Sequence, residues 1–139
     1  MSKKTPKRYS VNKSDRATYK KLRKLGPFKN KHNACIFVVA VALGFFKAKN
    51  RVELEDPDQF IHDYNFTDTQ NSIIKAVAVY EEGSLEVLAD PDKVVKIVNE
   101  FANAGLPIIE SMVNKHDPDF ITSLEDEMVD YFDKKLYKL

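Results

Sequence analysis

Apolar positions along this chain fall into blocks separated by polar caps, and most blocks carry helical spacing. Ser14 can cap a first helix running to about Leu25, with Thr18, Leu22 and Leu25 on one face and Gly26-Pro27 ending it. Asn33 is then a plausible cap for ACIFVVAVALGFF, apolar on every side. Its β-branched residues would also suit a buried strand, but its length favours a helix at about 33–46 surrounded by others. Thr67-x-x-Gln70 is a capping box opening SIIKAVAVYEE, which stops at Gly83. Ile73, Ile74, Val77 and Val79 or Tyr80 form its buried stripe, and SLEVL follows as an extended stretch or a short helical turn.

Asp-Pro-Asp occurs three times, at Asp56-Pro57-Asp58, Asp90-Pro91-Asp92 and Asp117-Pro118-Asp119. The first Asp can cap free amides, Pro at the first helical position has no amide to leave unpaired, and the next Asp suits the positive helix end. Three helix starts are therefore expected. The second helix should end at Ala104, with Gly105 as a left-handed cap, Leu106 as its apolar contact and Pro107 blocking continuation. A short helix over IIESMVN and a last one from Pro118 to about Leu136 complete the expectation, with Phe120, Leu124, Met128, Tyr131 and Leu136 inward. The predicted fold class is all-α: one compact bundle of six to seven helices over residues 14–139, around the apolar helix. Residues 1–13, basic and poor in apolar positions, are predicted to be a mobile arm.

Size and composition agree with this. The length of 139 residues suits one domain. A single cysteine, Cys35, excludes an internal disulfide and suits a reducing cytoplasm. The longest apolar run, Ala34 to Phe46, is well short of the roughly 20 residues a membrane helix needs. A soluble cytoplasmic protein without membrane contact is expected.

Charge changes the picture. Residues 1–51 hold fifteen Lys or Arg against the single acid Asp15, whereas residues 52–139 hold seven against twenty acids. Segments this asymmetric point to a polyanion, an acidic partner or a head-to-tail self-contact; the plainer reading is that the basic segment folds back on the acidic body. Lys13 and Arg16, then Lys20, Lys21, Arg23, Lys24, Lys29 and Lys31, then Lys47, Lys49 and Arg51 are the candidate nucleic-acid-binding residues. Such density favours phosphate backbones through counterion release, with little base specificity. Tyr9, Tyr19 and Phe28 are interleaved and could stack on an exposed base, though Phe28 better suits the core. The first two helices make a poor helix-turn-helix, since the second is too apolar for a groove.

Candidate chemistry is sparse. His32-x-x-Cys35 has metal-ligand spacing but lacks the second pair a structural zinc site needs, and His62 and His116 stand alone. Cys35 opens the most apolar segment, where a thiol is buried and inert. Pro118-Asp119 followed by Asp133-Lys134-Lys135 imitates a metal-dependent nuclease pattern, but on one helix its halves would lie roughly 20 Å apart. The four glycines are spread as helix stops and form no phosphate loop. No cofactor, metal or catalytic residue is assigned.

Two segments resemble a known family. PFKNKHNACIFVVAVALGFFKAKNRVEL, with Ala42-Leu43-Gly44-Phe45 ending the apolar helix before the basic turn Lys47 to Arg51, is similar to the N-terminal signature of the proteins associated with the Dnd system of DNA phosphorothioation. Glu100 to Leu106 resembles that family's Glu-x-Ala-Asn-x-Gly-Leu segment. The basic arm and the acidic C-terminal helix depart from the pattern. The resemblance implies an accessory protein of a prokaryotic DNA-modification and defence locus, without established catalysis. The expected function is therefore non-catalytic docking of the basic N-terminal surface on DNA, the acidic part contacting a protein partner. The alternative is an interaction or oligomerising module whose basic arm binds an acidic protein surface.

Overall fold

The computed structural model describes residues 8–25, 28–112, 126 and 128–130. Their order is β1 (Arg8–Asn12), α1 (Arg16–Leu22), α2 (Asn33–Leu43), β2 (Pro57–His62), α3 (Asp68–Glu82) and α4 (Pro91–Met112). Short helical turns precede α1 and follow α2, β2 and α3.

The apolar run forms α2 as expected, with every residue from Ala34 to Leu43 buried. His32, rather than Asn33, caps it: its Nδ1 accepts from the Ala34 amide at 2.9 Å. The helix widens into a π-helical turn over Gly44–Ala48 and stops at Lys49 in the left-handed region. Cys35 is buried with the rest. The Thr67 capping box is present in both directions, and Gly83 ends α3 at φ 74°. Leu85–Ala89 takes the helical alternative.

Four expectations fail. The fold is mostly helical, but not an all-α bundle of six to seven helices, because β1 and β2 pair as an antiparallel two-stranded sheet. Residues 8–12 of the expected arm are β1: Tyr9 and Val11 alternate inward and are buried, which fixes the ribbon to the core. Asp56-Pro57-Asp58 opens a strand, not a helix. Pro57 sits at the strand's first position, where a missing amide is tolerated.

The fourth failure is the break at Gly105-Pro107. Helix α4 runs through both residues to Met112. Proline in a helix interior costs about 3 kcal/mol. Against this, Phe101, Ala102, Gly105, Leu106 and Ile109 form one uninterrupted buried stripe, and each large apolar side chain removed from water is worth about 1.5–3 kcal/mol. Tertiary burial outweighs the local signal. The same stripe absorbs the expected short helix of residues 108–114 as far as Met112. Of the last expected helix, residues 126 and 128–130 are helical and Met128 is fully buried, while the rest lies outside the described residues.

Candidate nucleic-acid interface

Helix α1 has two faces of opposite character. Tyr19 and Leu22 are buried beneath it, while Arg16, Lys20, Lys21, Arg23 and Lys24 are exposed. Arg16, Lys20 and Arg23 follow helical spacing down one face. Together with Ala17, Asn33 and Phe60 they line a groove of about 370 Å³. Lys29 and Lys31 extend the cationic surface through the turn before α2, held back on α1 by Arg23 Nε donating to the Lys31 carbonyl at 3.2 Å.

The β-ribbon shapes this groove. Its register slips opposite Tyr9 and Ser10, leaving Phe60 as the extra residue of β2. A bulge re-aims the side chain at its position. The Phe60 ring meets Tyr19 edge-on at 5.2 Å, and the Arg16 guanidinium lies over it at 5.2 Å. Arg16 also donates from Nη1 to Asp58 Oδ2 at 2.9 Å. Asn33 completes the wall, with its Oδ1 buried and without a hydrogen-bond partner among the described residues.

The eleven candidate cations divide into four sets, the last of them Arg51 alone. Lys20, Lys21, Lys24, Lys29 and Lys31 are exposed on the α1 face and make no ion pair among the described residues, with Lys13 just ahead of them in the turn before α1. Arg16 and Arg23 share this face but are partly engaged as described. Lys47 and Lys49 are exposed beyond the far end of α2, roughly 20 Å of helix rise from the groove. The expectation of a single surface therefore covers the first two sets and leaves this pair apart.

Arg51 is committed to the acidic body. Its Nε donates to Glu100 Oε1 at 2.8 Å and its Nη1 to Glu81 Oε2 at 3.1 Å. Burial works against its charge, but the hydrogen bonds to Glu81 and Glu100 outweigh it and raise its pKa. Here, and at Arg16, the basic segment does fold back on carboxylates. Sequence reasoning missed Phe60 and Asn33 as groove residues and Asp58 as the partner of Arg16, since the bulge that delivers Phe60 follows from strand pairing and has no local signal.

Of the interleaved aromatics, Tyr9, Tyr19 and Phe28 are all buried and belong to the core. No group of three or more His, Cys, Asp or Glu suited to a metal ion occurs among the described residues. No described helix is long and apolar enough to cross a membrane. Glu100 and Asn103 have structural partners: Asn103 donates to the Val52 and Glu53 carbonyls at 3.1 and 3.3 Å and accepts from Asn12.

The family model described as DNA sulphur modification system-associated protein 4 matches residues 8–135. The chain belongs to this family. No curated protein and no solved structure matches it. This member of the family is mainly helical with a β-ribbon among its described residues, and the Glu-x-Ala-Asn-x-Gly-Leu segment that marks the resemblance is a packing device. Its Glu100 holds Arg51, its Asn103 holds the chain before β2, and its Gly105 lies against α2.

Proposed function

We propose that this protein is a non-catalytic accessory factor of a DNA sulphur modification system that docks the α1 face on a nucleic-acid backbone. The observation that carries the reading is the concentration of exposed lysines on one face, Lys20, Lys21, Lys24, Lys29 and Lys31, without an ion pair among the described residues, beside a groove walled by Arg16 and Arg23. Family membership supplies the association with DNA modification. The chemistry suits phosphates: lysine is a point charge without a directional preference, so such a face recognises charge density more than sequence. Several cations acting together release several counterions and make binding steeply salt-dependent.

Fluorescence anisotropy of a labelled duplex of about 20 base pairs, at about 50 and 200 mM salt, tests this. Binding at the lower salt that falls on the order of a thousandfold at the higher supports backbone docking through several phosphates. Absence of binding at low salt overturns it and leaves an acidic protein surface as the counterpart of the basic face.

A further inference from the structure

A second concavity, of about 470 Å³, opens between the turn after β2 and helix α3. This is within the range of small-ligand sites. Its walls are of two kinds. Ile74, Leu88 and Val94 make an apolar side, whereas Tyr9, Asp63, Asn71 and Lys75 bring a hydroxyl, a carboxylate, a carboxamide and an ammonium. Tyr64 stands at the rim, 70% exposed. Its ring is stacked on His62 at 4.7 Å and 16°, so it is held flat without being packed into the core.

We propose that this cavity takes a nucleobase from a single nucleic-acid strand, stacked against Tyr64. The proposal rests on backbone docking by the α1 face. A base has two flat apolar faces and an edge of donors and acceptors, which matches an apolar wall set against four different polar groups. An apolar side chain from a protein partner would leave Asp63 and Lys75 desolvated and unanswered. Burial, and then the Asp63 carboxylate, push the Tyr9 hydroxyl up to about 12, so it remains a donor at neutral pH.

Placement ties the cavity to the cationic groove. Phe60 lines the groove and Tyr64 the cavity, four residues along the same chain, which spans at most about 14 Å. On this reading a strand with its phosphates along α1 presents a base to the cavity across that short span. Within a duplex the base faces are hidden in the stack, and reaching them requires unstacking. The cavity therefore adds affinity for single strands, where base–aromatic stacking is tolerant of sequence.

Anisotropy titrations of a labelled oligothymidylate and of a duplex of equal length test this, using the full chain and three variants. Tyr64→Ala is expected to weaken single-strand binding roughly tenfold while leaving the duplex within about twofold. Tyr64→Phe, which keeps the stacking surface, is expected to bind both as the unaltered protein does. The double variant Lys20→Glu/Lys24→Glu is expected to weaken both probes. If the lysine pair weakens both probes and Tyr64→Ala changes neither, the base site is overturned and backbone docking stands. If neither probe binds at low salt, both fall. Thermal unfolding of the variants verifies that removal of this exposed ring has left the fold intact.

Discussion

Gly105 of α4 lies against Gly44 at the end of α2, so closely that a methyl group on Gly105 would stand 2.7 Å from the Gly44 amide nitrogen and collide with the Ala40 carbonyl. The reverse also holds, since a methyl on Gly44 would stand 2.7 Å from the carbonyl carbon of Phe101. Each obstacle is backbone, which no rotamer change relieves. Gly105→Ala should therefore destabilise the protein by about 2 kcal/mol, even though alanine is the better helix former by about 1. Gly83→Ala is the control. It meets nothing within 4 Å, but its φ of 74° should still cost about 1–2 kcal/mol. Urea unfolding separates the mechanisms. Gly83→Asn should recover much of the loss because asparagine tolerates this conformation, while no side chain rescues position 105.

Arg51 makes a second prediction that separates structure from binding. Its side chain is 26% exposed and answers two carboxylates, the Glu100 side chain being 12% exposed. Arg51→Met should leave those carboxylates repelling each other and cost about 1–3 kcal/mol in urea unfolding. Nucleic-acid affinity, measured well below the unfolding transition, should change little. A large loss of affinity at unchanged stability would return Arg51 to the binding face.

Much of this was legible in the sequence, and the exceptions have physical causes. The Thr67 box and Gly83 are local devices, satisfied within a few residues, and both stand as predicted. Apolarity on every side of residues 34–43 forced burial whatever the partner. The β-ribbon was hidden because Arg8–Asn12 pairs with residues some fifty positions away, and Tyr9 and Val11 are too few to show a period. Gly105 carried two meanings: beside Pro107 it resembles a cap, while in space it is the gap that admits α2. The basic surface was legible as charge. Its division by α2, and the capture of Arg51 by carboxylates from α3 and α4, depend on three dimensions.

Three groups with raised pKa should make stability fall with rising pH, in two separate windows. Burial, then the Glu110 carboxylate, raise the Asp15 pKa above its ordinary 3.8. The folded protein then holds this proton more tightly than the unfolded chain, so stability falls as pH rises from about 3.8 through the raised folded value. Asp15→Asn should flatten that slope and stabilise the protein at neutral pH, an outcome helped by the absence of any capping hydrogen bond from Asp15. In the alkaline window Tyr9 is raised from 10.0 to about 12 and Tyr19 is also raised, in both cases mainly by burial. Stability should fall again as pH rises above 10, and tyrosinate absorbance should show these two rings ionising late or together with unfolding. Ionisation of all tyrosines at the ordinary value in the folded protein would contradict the burial of β1 and α1.

The division of the cations by α2 gives the last prediction. Lys20 and Lys24 lie on α1, whereas Lys47 and Lys49 lie beyond the other end of α2, and all four are exposed. Long-range attraction alone would make the two pairs nearly interchangeable at low salt, because net charge would set the affinity. Direct phosphate contact instead makes position decide, since near 0.15 M salt charges are screened beyond about 8 Å. Lys20→Glu/Lys24→Glu should therefore lower duplex affinity and reduce the slope of log affinity against log salt by about 2, near 1 per lost contact. Lys47→Glu/Lys49→Glu makes the same change in net charge and should leave that slope nearly unchanged. Equal loss from both pairs would mean that net charge rather than position sets the affinity, and the groove walled by Arg16 and Arg23 would lose its place in the contact.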